Sequence, residues 1–295
     1  MTLPTTDTLV LYPSGALVSD GVVLHRETLA DGRVGLVLDR TAVHAVDAAW
    51  PDQPTDRGVL RSSDGAVVTL EDAIVGATDG TALHVGADVP VKKGTEGWAF
   101  VVVHVVAADT AVDEGDLVTV EVDGGFRSAL SAGHTACHLA SLALNRALST
   151  AWRKDVLPDA AGSPNFDALA IETSTIVPDG SIDVYRIGKS LRRKGFDPEA
   201  LGDLDGLARR VDATLAHWVS GSAAARIDRA GDRLTDRREW VCDLPDGSVA
   251  IPCGGTHVDS LGAISQIRVR FESSSTDGAT VVTMTTSATP VARVD

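Results

Sequence analysis

The sequence predicts an α+β fold, with a small antiparallel β-barrel over residues 1–122 and an α+β unit over residues 123–295. Three observations lead there. At roughly 100 to 200 residues per domain, 295 residues suit two domains. Residues 1–122 carry short Val- and Leu-rich runs broken by Asp-Gly turns, whereas the stretch after Asp123-Gly124-Gly125 is free of proline and rich in Ala and Leu. The strand-like half therefore gives way to a helix-bearing half at one point in the chain.

Each element follows from a local signal. Residues 8–12, 21–25, 34–39, 66–70, 99–106 and 116–122 read as strands, with turns at Asp31-Gly32, Asp64-Gly65 and Asp79-Gly80. Short, regularly spaced strands favour a small barrel. Residues 126–150 read as a helix of roughly seven turns, interrupted at modest cost by Gly133. Residues 169–176 and 182–187 resemble a hairpin across Pro178-Asp179-Gly180, and a second helix is expected over 198–218. An Arg- and Asp-rich connection over 227–239 leads to a strand at 240–244, then a Pro245-Asp246-Gly247 turn. Strands at 264–271 and 280–286 flank Thr276-Asp277-Gly278, and 287–295 is a polar end.

Composition narrows the function classes. Hydrophobic residues make up 44% and charged residues 23%, ordinary globular usage that disfavours disorder. With 41 acidic against 26 basic residues the formal charge is -15, which repels nucleic acid and anionic lipid over most of the surface. That charge is uneven: residues 1–122 hold 7 basic and 19 acidic side chains, residues 123–295 hold 19 and 22. RNA is thus disfavoured on the first half and tolerated on the second. The densest basic run is Arg186, Lys189, Arg192, Arg193 and Lys194, which either grips a nucleic-acid backbone or is a solvated face. The three widely spaced cysteines, the absence of a basic cluster and apolar core near Met1, and an apolar run of only residues 99–108 point to a cytoplasmic protein off the membrane.

Two short motifs carry chemistry. His134 and His138 are four apart on the long helix, which puts both imidazoles on one face about one turn apart. Cys253 and His257 are also four apart, around Gly254 and Gly255, which permit a tight bend. Three nitrogens and one sulfur suit tetrahedral zinc. The competing reading is a small buried cysteine with ordinary histidines. Cys137, on another helical face, is read as packing, and so is Cys242. A zinc-protease helix carries Glu directly after its first His, and Thr135 stands there instead, which argues against proteolysis. Because four protein ligands fill a tetrahedral shell, a catalytic metal would expand to five ligands or give one up to substrate or water, positioning a substrate as much as activating water; a purely structural zinc is the alternative.

His134-Thr135-Ala136-Cys137-His138-Leu139 and Cys253-Gly254-Gly255-Thr256-His257-Val258 together resemble the editing domain of alanyl-tRNA synthetases, of free-standing AlaX proteins and, more distantly, of threonyl-tRNA synthetases. The family patterns are HTAxHL and CGGTHV. Upstream, Leu38-Asp39-Arg40-Thr41 and Asp52 to Gly58 resemble the barrel signature that precedes this domain. His44-Ala45 replace the family's Tyr-Pro, a longer loop with Trp50-Pro51 replaces its Gly-Gly, and Ala263 stands where Glu is common. The resemblance covers roughly residues 8–285 and implies a β-barrel followed by a zinc-binding editing domain.

It also implies a function. His134, His138, Cys253 and His257 would bind Zn2+, and the protein would hydrolyse the ester of a mischarged tRNA in trans, Ser-tRNA(Ala) or Gly-tRNA(Ala), at the aminoacyl 3' end. Thr41 matches a threonine that contacts the serine hydroxyl, while Thr256, or the amides of Gly254 and Gly255, would donate to the developing oxyanion. Thr256 could equally cap the following turn. Two alternatives stand beside this reading: a zinc hydrolase of another aminoacyl ester or amide, and a non-enzymatic zinc-stabilised binding module.

Overall fold

The computed structural model describes residues 3–276 and 278–291. Its class is α+β with mostly antiparallel sheets, and the chain divides into two compact units. The first comprises Met1–Arg127, Arg229–Arg238 and Gly254–Thr256; the second comprises Ser128–Asp228, Glu239–Cys253 and His257–Asp295.

In the first unit, eight strands form one curled antiparallel sheet, a half-barrel. Their order is Val67–Leu70, Gly58–Ser62, Leu117–Val122, Val18–Thr28, Val34–Leu38, Ala99–Val106, Asp72–Thr78, Leu83–Val85. Among the described residues no pairing joins the two end strands. Those strands have four and three residues, too few for a closing ladder of ordinary length. The strand Ala99–Val106 is buried along its whole length because it is apolar on both faces. Phe100, Val102 and Val106 pack with Val10, Tyr12, Leu36 and Leu38, while Val101, Val103 and Val105 pack with Val37 on the opposite side. The period of two in the pleat sorts one continuous apolar run into two packing faces.

One ion pair is fully enclosed in this unit. The Arg127 guanidinium donates through Nε to Asp56 Oδ1 at 2.7 Å and through Nη2 to the Ala42 carbonyl at 2.8 Å. It also bonds Asp56 Oδ2, which accepts the His44 amide at 2.6 Å. A buried pair of this kind needs further hydrogen bonds beside the ion pair, and the Ala42 carbonyl and His44 amide supply them.

The second unit is built on helix α1 (Gly124–Ala147). Asp123 starts it by accepting the amides of Gly125 and Phe126. Ala132, Ala136, Ala140 and Ala143 line its buried face together with Leu139 and Leu144. Gly133 has a steric reason: a Cβ there would lie 2.4 Å from the Val177 carbonyl oxygen and 2.6 Å from that of Gly180. The hairpin turn packs directly on helix backbone, and the Asp179 amide donates to the Ala129 carbonyl at 2.8 Å.

That hairpin, Ile171–Val177 and Gly180–Ile187, continues through Ala279–Pro290 to Ile264–Thr276 as a four-stranded antiparallel sheet. Two short helices flank it, α2 (Phe166–Ala170) and α3 (Lys189–Arg193). The helix expected over 198–218 is split: a single 3-10 turn, Pro198–Leu201, precedes α4 (Leu204–Ser220). The break falls at Gly202-Asp203, where Asp203 caps α4 by accepting the Gly206 amide at 2.8 Å. Helix α4 packs on Ile264–Thr276, and Asp212 fixes the contact by accepting the Val269 amide at 2.9 Å.

Ala225–Arg229, Arg238–Leu244 and Gly247–Pro252 make a three-stranded sheet. The expected connection 227–239 therefore begins and ends in strand. Ser287–Pro290 extends a strand rather than starting a polar end. Met1, Thr2, Asp277 of the expected turn and residues 292–295 lie outside the described residues. No helix among the described residues is long and apolar enough to cross a membrane.

Candidate metal centre

Helix α1 presents His134 and His138 one turn apart, with ring centroids 4.9 Å from each other. The strand Gly247–Pro252, registered on Arg238–Leu244, delivers the chain to Cys253 and then His257. Cys253 Sγ lies 3.5 Å from His134 Nε2 and 3.3 Å from His257 Nε2. One donor atom from each of His134, His138, Cys253 and His257 lies within 4.8 Å of every other, a set that could hold a metal ion. His134 is buried and the other three are half-buried.

Neighbouring groups shape the site. The buried Trp240 indole stacks beside His138 at 5.2 Å and beside His257 at 5.4 Å. Thr135 Oγ1 lies 3.2 Å from His257 Nδ1 and accepts the Val258 amide at 3.2 Å. Neither Trp240 nor Thr135 announces this role in the sequence, because the contacts of Trp240 with His138 and of Thr135 with His257 join segments more than a hundred residues apart along the chain. The glycines between Cys253 and His257 turn without any left-handed backbone; neither has positive φ. The chain bends at Gly255 with ordinary backbone, and Cys253 and His257 converge. Gly254–Thr256 groups with the first unit, where Tyr12 Oη donates to the Gly254 carbonyl at 2.9 Å. There the Gln53 amide grips Thr256 twice: Nε2 donates to its Oγ1 at 3.0 Å and Oε1 accepts its amide at 2.9 Å.

The other candidates have partners of their own. Thr41 is buried in the first unit, with Oγ1 2.8 Å from His104 Nε2. His104 Nδ1 is 3.2 Å from the Leu36 carbonyl and must donate to it, so the Thr41 hydroxyl donates to Nε2. Burial holds His104 near pKa 4, which keeps the ring neutral in this arrangement. Cys137 faces away from the cluster; its Sγ donates to Asp183 Oδ1 at 3.5 Å, and burial pushes the thiol well up. Ser174 and Ser181 also donate to Asp183, at 2.6 and 2.7 Å. Tyr185 donates to Asp167, whose carboxyl burial raises to about 6.

The basic run is exposed. Arg186 faces Glu172 at 3.9 Å, whereas Lys189, Arg192 and Arg193 on α3 and the following Lys194 form no ion pair among the described residues. The structure brings two more basic residues beside it: Lys154 Nζ donates to the Arg193 carbonyl at 3.0 Å, and the Arg153 amide donates to the Gly195 carbonyl at 2.8 Å while its guanidinium pairs with Asp197 at 2.7 Å. More than thirty residues separate these two from the start of the run, so no charge pattern in the sequence joins them.

No family model matches the chain. Among curated proteins it is 24% identical over 277 residues, 89% of its length, to the alanine–tRNA ligase of Nostoc punctiforme. It is 28% identical over 267 residues, again 89%, to that of Rhizorhabdus wittichii, and 27% identical over 245 residues, 83%, to that of Frankia alni. The chain spans about a quarter of the length of these relatives. Its similarity to alanine–tRNA ligases is consistent with a protein like the editing domain of alanyl-tRNA synthetase.

Proposed function

We propose that this chain is a zinc-dependent hydrolase of the ester bond in mischarged tRNA, with Ser-tRNA(Ala) or Gly-tRNA(Ala) as substrate. The observation that carries the reading is the convergence of His134, His138, Cys253 and His257 in a chain similar to alanine–tRNA ligase over 89% of its length. The spacing supports zinc: with bonds of about 2.05 Å to nitrogen and 2.3 Å to sulfur, a tetrahedral N···S edge is about 3.6 Å. The two measured edges are 3.5 and 3.3 Å.

Zinc held there would supply a fixed positive charge beside the aminoacyl end. The chain's own residues do the remaining work. The amides of Gly254 and Gly255 and the hydroxyl of Thr256 are the proposed donors to the developing oxyanion, with Thr256 oriented by its two bonds to Gln53. Thr41 would meet the amino-acid side chain only by exchanging its bond to His104. Arg186, Lys189, Arg192, Arg193 and Lys194, joined by Lys154, would hold the RNA backbone. The proposed setting is the cytoplasm.

A second reading, hydrolysis of another aminoacyl ester or amide, is favoured by the rebuilt loop. Trp50, 73% exposed, is held there by a hydrogen bond from its Nε1 to Asp52 at 2.8 Å. The test is deacylation of purified tRNAs charged with Ser, Gly or Ala, with and without chelator, alongside small aminoacyl esters. Hydrolysis of the mischarged species that stops on chelation and returns with zinc is expected. Ester left intact across the panel with zinc bound would overturn the reading, and turnover of small esters alone would favour the second. Zinc binding with no turnover would leave a non-enzymatic module.

A further inference from the structure

The geometry points to Thr135 as a positioning residue of the metal centre, one that holds the His257 imidazole with Nε2 toward the cluster. The inference rests on the metal reading above and on nothing about the substrate.

His134 and His138 need little help, since helix α1 sets their spacing and direction. His257 comes from irregular chain after Gly247–Pro252 and has no such frame. Its Nε2 is the nitrogen near Cys253 Sγ, at 3.3 Å. A nitrogen that ligates presents its lone pair, so the ring hydrogen sits on the other nitrogen, Nδ1, which then requires an acceptor. Thr135 Oγ1 is 3.2 Å away. A hydroxyl oxygen has two acceptor positions. The Val258 amide takes one at 3.2 Å and His257 Nδ1–H takes the second, so two successive residues of the loop are tied to one atom of the helix.

The location of Thr135 reinforces this. It is fully buried in the middle of α1, where a threonine hydroxyl commonly bonds back to its own helix at i−4. Here the hydroxyl oxygen also accepts from partners 122 and 123 positions away in sequence. The Trp240 ring packs on the His257 imidazole, so Thr135 fixes the nitrogen edge of a ring that already has an aromatic neighbour. The same helix position holds the general-base Glu of zinc proteases. In this chain that position orients a ligand instead of supplying a base.

Thr135→Val keeps the branched shape and removes the acceptor that the Val258 amide and His257 Nδ1–H share. Zinc affinity of the full chain, measured by competition with a chromogenic chelator, should weaken about 10- to 100-fold, with Thr135→Ser staying within about threefold of the parent. The absorption bands of the cobalt-substituted protein should shift in Thr135→Val and not in Thr135→Ser. Thermal unfolding of the metal-free proteins separates a loss of fold from a loss of ligand orientation. Parent-like zinc affinity in folded Thr135→Val would overturn the inference, as would equal weakening in Thr135→Ser. No zinc binding by the parent would instead overturn the metal reading beneath it.

Discussion

The two units treat their polar groups differently. In the first, two buried pairs are closed among themselves, Asp56 with Arg127 and the His44 amide, Thr41 with His104 and the Val43 amide, although His44 Nδ1 and Arg238 Nε have no hydrogen-bond partner among the described residues. In the second, three imidazoles and a thiol converge at a half-buried position. Matched partners make a stable scaffold, because a buried polar group costs little once its bonds are filled. Donor atoms that converge on one point have a use only when something occupies that point. The contrast places the four metal-ligand candidates in the second unit, next in the chain to Gly254–Thr256 of the first.

The largest test of that contrast is Arg127→Met. It leaves Asp56, with no exposed side-chain surface, as an unpaired buried carboxylate, and should cost about 3–5 kcal/mol. Denaturant unfolding followed by hydrogen exchange should place the loss in the first unit, and Asp56→Asn added to Arg127→Met should recover most of it. A cost below about 1 kcal/mol would mean the pair is not the closed unit described.

Gly133→Ala probes the second unit through packing alone. Its Cβ would press on the carbonyls of Val177 and Gly180, so a loss of about 1–3 kcal/mol is expected, with exchange rising in the hairpin Ile171–Ile187. Unchanged stability would show that the turn can retreat from the helix at no cost.

Acidification should separate the units by sign. Burial lowers His44 and His104 from 6.5 to about 4, so the unfolded chain binds their protons first. The stability they represent is present above about pH 6.5 and is lost as pH falls toward 4, at roughly 1–2 kcal/mol per histidine by pH 5. Burial raises Asp167 from 3.8 to about 6, the opposite case: it favours the fold below 3.8, and that contribution fades as pH rises through 6. Between pH 7 and 5, exchange should therefore accelerate more in the first unit. Equal acceleration in both would remove this distinction.

The smallest expected effect on stability comes from replacing Arg192, Arg193 and Lys194 with Gln. These exposed residues should matter by no more than about 0.5 kcal/mol. Under the proposed tRNA reading, RNA affinity should nevertheless fall, and its log–log salt slope should flatten by about 0.7–0.9 for each phosphate that is no longer neutralised. An unchanged slope would move the RNA-binding face off this surface.

Local pattern made much of this legible. The helix begins where Asp123 can cap it, and the hairpin turns at Pro178-Asp179. The Ala99–Val106 strand coincides with its apolar run, and the four ligand candidates stand out through two i, i+4 pairs. Features without a local pattern were not legible. Gly58–Ser62, Asp72–Thr78 and Leu83–Val85 lack a clear alternation and become strands by pairing with neighbours. A closed barrel is expected where the sheet is a half-barrel, since strand spacing along the chain does not count the pairings at the sheet's ends.

By itself, then, the sequence determined which side chains could bind a metal and where the patterned helices and strands fall, because propensity, capping and periodicity act over a few residues. Tertiary structure alone decided what surrounds them. Thr135 facing His257, Trp240 stacking on His138, Gln53 gripping Thr256 and Lys154 joining a distant basic run each bring together residues at least 39 positions apart. Such pairings come from packing whole elements, and no local energy term encodes them.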